Sequence, residues 1–431
     1  MKDDFTEKKL IGLLIGYYRK ELLQLKKDDK YRKLNFISYK SDKIQEDCLN
    51  CNNMKCKNSN KICSFNTISA LESGAITRKI CCYIDFADKL KLQFKLNKKM
   101  INEYEELEKD IVNALKINDV NQYLKLYKLT ERYQKENENV IYFSELYKLY
   151  SCILKIKVSE EYPDDSFINL LEFILPYLKD KTKYLSTYVL YKYYFTHNDL
   201  YGKEAIYLNA LRKMDPENIE FLVYDKMQTN SLLEAYNFIS TISLDCLNDY
   251  EKYTIYQFLG YMCLCFNQID EGIVYVKKSK LIIENSEITF PRKEANHTYM
   301  RLGLFYFQLK KYNKAVENFE RVFKYDPNTL ILNILLYFNS LEKMKRFEEL
   351  TTLLEEVDLQ KIRRHKPIFI YYRMKYIYKS NNKDLEEYIV DNIKPLIPKN
   401  DTYQGVLIEE LIHLANSTGD YKVLFNYLLP N

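Results

Sequence analysis

Apolar residues recur at helical rather than alternating intervals along most of the chain. Leu10, Ile11, Leu14, Ile15, Tyr18, Leu22 and Leu25 predict a first helix from Glu7 to about Lys27. Tyr31 to Tyr39 alternates weakly, as a short strand or a loop would, and a second helix is expected to begin near Ser41 and include Ile44 and Cys48. Cys63 to Gly74 then predicts one short helix, with Ile68 and Leu71 on one face. Ser64 stands where an N-cap oxygen is needed, and Gly74 where a left-handed residue ends the helix. Thr77 to Lys91 predicts a further helix, with Gln93 to Asn97 as the exit. From Lys98 to about Tyr133, Ile101, Tyr104, Leu107, Ile111, Leu115, Tyr123, Leu126 and Leu129 stay in register. This stretch reads either as helices joining two halves or as an ordinary repeat pair broken near Asn118.

From Val140 onward the pattern repeats. The clearest unit is His297 to Pro327, where Tyr299, Leu302-Gly303, Tyr306, Ala315, Phe319, Val322 and Pro327 resemble the tetratricopeptide pattern. Gly303 and Ala315 would let two antiparallel helices approach, with Tyr306 and Phe319 filling the space between them. A second unit has Tyr256, Leu259-Gly260, Cys263 and Gly272 in the same roles. A third has Tyr188, Tyr191, Phe195, Leu208, Leu211 and Asp215-Pro216. Degenerate pairs are expected around Phe221 to Ile239, then at Ile331 to Val357, Ile368 to Ile397 and Gly405 to Leu429. Units of this kind stack because no single pair can bury its apolar face alone, so the body is expected to be an α-solenoid. Its concave wall would be lined by Tyr193, Thr196, Asn230, Thr254, Gln257, Tyr261, His297, Met300, Leu304 and Phe307. Amides and tyrosines on such a wall suit an extended peptide, held by its backbone.

Composition narrows the class. Nine Gly and nine Pro in 431 residues argue for helices over a turn-rich β or doubly wound fold. No apolar run reaches the roughly 18 residues of a membrane span, and the first residues lack the pattern of a signal peptide, so a cytoplasmic protein is expected. The ten Cys are then expected as reduced thiols or metal ligands rather than disulfides. Cys48, Cys51, Cys56 and Cys63 form a cluster whose thiolates would suit a structural zinc, with reduced structural cysteines and a redox switch as the other readings. The four His are scattered, and no phosphate loop, metalloprotease motif or nucleophile elbow occurs, so no enzyme and no other cofactor is expected. Charge is uneven: residues 1–100 hold 22 Lys and Arg against 12 Asp and Glu, a balance of +10 in a chain of net +5. A basic amino-terminal part suits contact with nucleic acid, because cationic side chains release counterions from phosphate.

The outer face of the short helix carries Phe65, Asn66, Thr67, Ser69 and Ser73, polar groups able to meet base edges. Thr67-Ile68-Ser69, Leu71-Glu72 and Gly74 resemble the recognition helix of the Cro/repressor-type helix-turn-helix, the XRE family. Ile11-Gly12, Ile15 and Arg19-Lys20 resemble that family's first helix, and Tyr83-Ile84, Phe86-Ala87 and Lys89-Leu90 the helix that closes its core. The resemblance implies DNA contacts from Ser64, Phe65, Asn66, Thr67 and Ser69, and a pair between Arg19 and Glu72. The sequence departs from the family in the long stretch from Leu25 to Lys61 between the first helix and the recognition helix.

Taken whole, a helix-turn-helix head on a tetratricopeptide body resembles the peptide-pheromone-responsive regulators of the Rgg, PlcR, PrgX and NprR type. That implies an all-α fold with a DNA-binding domain over 1–97 carrying a Cys-rich insertion at about 28–62, linker helices over 98–139 and repeats over 140–431. It also implies double-stranded DNA and a short signalling peptide as partners, and a homodimer built by the repeats. The alternatives are an adaptor that grips a protein without DNA and a regulator that responds to zinc or thiol oxidation.

Overall fold

Helix ends in this protein are set by main-chain closure as much as by side-chain caps, and that regularity reveals the repeats. The structure, a computed structural model, describes residues 4–25, 65–75, 80–95, 98–197, 202–229, 231–330, 332–362, 365–397 and 402–428. Apart from one isolated bridge between Gln93 and Val140, these residues form helices and turns, so the described part of the chain is all-α as expected. It separates into two units, Met1–Thr229 and Asn230–Asn431.

The first unit opens with α1 (Asp4–Leu25), α2 (Phe65–Glu72) and α3 (Ile80–Lys89). A helical pair follows, α4 (Lys98–Ile117) and α5 (Val120–Glu136). The two break at Asn118, which has a left-handed φ of 57°, and Asp119 caps α5 by accepting a bond from the Asn121 N–H at 3.0 Å. Next come α6 (Phe143–Ser159), α7 (Asp165–Ile174), α8 (Asp180–Thr196), α9 (Lys203–Met214) and α10 (Ile219–Thr229). One buried cluster runs from Leu10 and Ile11 on α1 through Phe86, Tyr104, Phe143 and Tyr147 to Tyr191 and Phe221. This cluster includes residues on both sides of the sequence-based boundaries at 97 and 139. Of the third predicted repeat, Tyr188, Tyr191, Leu208 and Leu211 are buried, but Phe195 is exposed.

The second unit contains α11 (Leu232–Ser240), then the pairs α12 (Asp249–Cys265) with α13 (Ile269–Asn285) and α14 (Arg292–Gln308) with α15 (Tyr312–Tyr325). It continues with α16 (Asn333–Lys343), α17 (Phe347–Glu356), α18 (Lys366–Tyr376), α19 (Asn382–Tyr388), α20 (Thr402–Thr418) and α21 (Lys422–Leu428). Three successive pairs turn in the same way. Asn267, Lys310 and Lys345 take φ of 59°, 55° and 59°. The N–H groups of the residues that follow, Gln268, Lys311 and Arg346, close on carbonyls five residues back, Cys263, Tyr306 and Leu341, at 2.8, 2.8 and 2.9 Å. This six-to-one closure satisfies carbonyls that a helix end leaves unpaired.

Within the pairs and between them, small residues admit large ones. A Cβ on Gly303 would lie 2.5 Å from the Phe319 ring, one on Gly272 2.5 Å from Phe305, and one on Gly260 2.6 Å from Val276. Ala315 and Phe319 are wholly buried, as their predicted roles require. Tyr306 differs from expectation: it is half-buried, with the ammonium groups of Lys277 and Lys314 5.8 and 5.6 Å from its ring centre. Arg373 of α18 donates to the carbonyls of Leu354 and Val357, closing the end of α17. Among the described residues, no helix is long and apolar enough to cross a membrane.

Candidate functional site

In the head, two glycines one turn apart set how α1 meets α2. A Cβ on Gly12 would stand 2.4 Å from the Leu71 carbonyl oxygen, and one on Gly16 3.0 Å from Glu72 Cβ. Only glycine lets the helices touch this closely. Leu71 is buried at the crossing and Glu72 is half-buried. Gly74 then ends α2 at φ 86°; its N–H bonds to Leu71 and that of Ala75 to Ala70, at 3.0 and 2.8 Å. Ser69, Ala70 and Ser73 are exposed on the other edge.

The helix ending at Gly74 and its burial through Leu71 thus agree with the sequence reading. Phe65, Asn66 and Thr67 lie on α2, but their side chains, like that of Arg19, fall outside the described residues. Ser64, Cys48, Cys51, Cys56 and Cys63 also lie outside them, as does the second helix expected near Ser41. Among the described residues, no group of three or more His, Cys, Asp or Glu could hold a metal. Cys82 is disulfide-bonded, contrary to the expectation of reduced thiols, while Cys152, Cys246, Cys263 and Cys265 are free.

The residues assigned to a concave wall divide into three groups. Tyr193 and Thr196 belong to α8 in the first unit. The Tyr193 hydroxyl donates to Asp165, an attachment that pushes its pKa up to about 12 with help from burial, and its ring stacks on His197 at 4.2 Å. Asn230 lies outside the described residues.

Thr254 and Gln257 are a correction. Both lie inside the packing of α12 rather than on an open wall. The Thr254 hydroxyl donates to the Tyr250 carbonyl at 2.8 Å. The Gln257 amide donates to Ser279 of α13 and Thr298 of α14, each at 2.7 Å, and its oxygen accepts from Arg301 at 2.6 Å. A buried amide must have its partners, and here it joins three helices. The sequence register missed this because α12 is packed on more sides than a two-helix unit reveals.

Tyr261, His297, Met300 and Phe307 remain at least partly open on α12 and α14, while Leu304 is buried beside them. The residue that sequence reasoning overlooked is Arg301. Its guanidinium lies 5.7 Å from the Tyr261 ring centre and also donates to the Gln257 carbonyl at 2.6 Å. Its signal was a cation one turn after His297 on the same helix. Burial, then the charges of Arg301 and Lys293, push the His297 imidazole down to about 4, so it is neutral at pH 7. The face therefore offers one fixed cation, aromatic and thioether surface, and a neutral imidazole.

Further along this unit, α20 covers the neighbouring first helices. Thr402 accepts from Gln308 at 2.9 Å, Tyr403 donates to Asn333 at 3.0 Å, and Glu409 pairs with Lys343 at 2.9 Å. Lys375 of α18 lies 2.7 Å from both Glu342 and Glu410. Burial alone would lower its pKa, but the two carboxylates hold it raised.

The first unit has a groove that the sequence did not announce. One part, about 410 Å³, is lined by Tyr17 and Tyr18 of α1, Gln134, Glu138, Glu145 and Lys148, with Phe167 as an apolar wall. A second part, about 750 Å³, shares Gln134, Glu138 and Lys148 and reaches Tyr162 and Asp164. Glu145 is buried, accepts from the Tyr18 hydroxyl at 2.5 Å and the Tyr142 N–H at 2.6 Å, and has its pKa raised by burial. Tyr142 has a φ of 80°. Glu145 thus holds an unusual backbone turn in place, a positioning role. The Lys148 ammonium sits 4.4 Å from the Phe167 ring centre and 3.8 Å from Asp164.

Comparison with known proteins bears on the second unit. No curated protein matches the chain. The family model of the tetratricopeptide repeat matches residues 298–329, which span most of α14, all of α15 and the short turn after it. That segment is a tetratricopeptide repeat, a module that suits protein–protein interaction.

Proposed function

We propose that this protein is a DNA-binding transcriptional regulator whose amino-terminal helices meet the duplex and whose repeats take a short peptide. The observation that carries the DNA-binding reading is the glycine-mediated crossing of α1 and α2. Gly12 and Gly16 admit Leu71 and Glu72, and Gly74 stops the helix, so α2 is anchored along one edge and shows Ser69 and Ser73 on the other. That is the arrangement the resemblance to the XRE helix-turn-helix requires of a recognition helix, with Phe65, Asn66 and Thr67 next along it. The peptide reading is supported by the partly exposed face on which Tyr261 stands beside the half-buried His297, Met300, Arg301 and Phe307. By the same analogy two copies would pair through their repeats and place two heads on a partly palindromic site.

The test is binding of the full chain to genomic fragments at two salt concentrations. A regulator retains a subset of fragments, with affinity that falls as salt rises. Asn66→Ala with Ser69→Ala abolishes that preference while the helical content stays unchanged. Absence of any preferred fragment refutes the reading.

The tetratricopeptide match favours a second reading, an adaptor that binds a protein partner without DNA. The same assay separates the two, since an adaptor gives no preferred fragment.

A further inference from the structure

On the outer side of the α4–α5 pair lies a shallow depression of about 590 Å³. Its floor is apolar, Leu126 and Leu129, but its rim is not. Lys125, Lys128 and Arg132 of α5 stand along it, with the amides of Asn113 and Gln122, against one acid, Asp110. The three cations occur at i, i+3 and i+7, which places them on one face of α5. All three are exposed. Arg132 has a weak partner, Glu136 at 3.9 Å, with both side chains about 60% exposed. Such a surface pair contributes little and yields readily to a stronger anion. From Lys125 to Arg132 the helix advances about 10 Å, roughly three steps of about 3.4 Å along one DNA strand.

We infer that this face of α5 is a second nucleic-acid contact, in which Lys125, Lys128 and Arg132 neutralise phosphates along a stretch of the duplex backbone. The inference rests on the DNA-binding reading and goes beyond the recognition helix, which lies elsewhere in the sequence. Charge complementarity selects the occupant. Three cations with two amide donors suit a regular array of phosphates, because Lys, Arg, Asn and Gln side chains are all among the donors that contact the DNA backbone. Contacts of this kind add affinity without sequence preference, so α5 strengthens binding while α2 chooses the site.

The test compares the full chain with a variant carrying Lys125→Gln, Lys128→Gln and Arg132→Gln, on a preferred fragment and on duplex of unrelated sequence. Each lost phosphate contact lowers the slope of log affinity against log salt by about 0.9, so the variant loses about 2.7. Between about 50 and 200 mM salt the wild type then weakens roughly 40-fold more than the variant. Fragment preference is retained. The charge-keeping variant Lys125→Arg, Lys128→Arg, Arg132→Lys restores the slope, which excludes misfolding as the cause. An unchanged slope in a protein that still selects fragments overturns this inference alone. A wild type that selects no fragment overturns both this inference and the proposed function. Loss of binding to polyglutamate with an unchanged DNA slope overturns it as well and assigns the face to an acidic polypeptide.

Discussion

Replacing Gly303 with alanine tests the central packing device of the repeats. The added Cβ would stand 2.5, 2.6 and 2.9 Å from three ring atoms of Phe319. That is about 1 Å inside the roughly 3.5 Å at which carbons rest in contact. Phe319 is wholly buried and packs on Tyr337, ring centres 6.2 Å apart, so its ring has little room to retreat. Overpacking of this kind costs about 1–3 kcal/mol, and a rigid site lies at the upper end. Removing a helical glycine returns about 1 kcal/mol through backbone entropy. The expected net is a loss of about 2 kcal/mol. Gly405 on α20 is the internal control, since a Cβ there meets nothing within 4 Å. Gly405→Ala gains up to about 1 kcal/mol from the same entropy. Urea unfolding followed by far-ultraviolet circular dichroism reads both, with midpoints compared only where the slope is unchanged. A Gly303→Ala midpoint that rises alongside Gly405→Ala refutes the close-approach argument. Adding Phe319→Leu to Gly303→Ala should cost less than Phe319→Leu alone, because the two positions share one space.

Two further outcomes follow from the same unit. Gln257→Leu leaves Ser279, Thr298 and Arg301 without the amide they share, and costs about 2–3 kcal/mol in urea unfolding; a neutral change means the amide is not the tie described. His297, lowered from 6.5 to about 4, binds its proton less readily folded than unfolded. Its contribution to stability is therefore complete above pH 6.5 and is lost as pH falls towards 4. Resonances of the His297 ring should show the neutral form at pH 5.5, and a midpoint near 6.5 would contradict its half-buried place beside Arg301 and Lys293.

The parts of the fold that were legible in the sequence are those where one residue has one physical job. Gly303, Ala315 and Phe319 read correctly because close helix approach demands small against large, and the break near Asn118 because asparagine tolerates a left-handed backbone. Gly74 read correctly for the same reason. Thr254 and Gln257 were misplaced because helical periodicity gives the face of a residue but not how many neighbours crowd that helix. The continuity of the first core was hidden for a related reason. Forty-one tyrosines supply buried and half-buried rings alike, so their spacing does not mark a domain edge. Gly16 and Arg301 carried signals one helical turn from residues already singled out. Lys125, Lys128 and Arg132 were visible only as charges in a charged stretch, until the α4–α5 pairing placed them along one depression.

The junctions at Asn267, Lys310 and Lys345 behave as fasteners made of main chain, open to any side chain that accepts a left-handed backbone. Their consensus letters can drift without altering the pitch of the stack, which is how three pairs keep one geometry while a single segment keeps the recognisable signature. The same fastening is intolerant of length. One residue inserted at such a junction would uncouple the closure and swing every later helix by about 100°, turning its buried seam towards water.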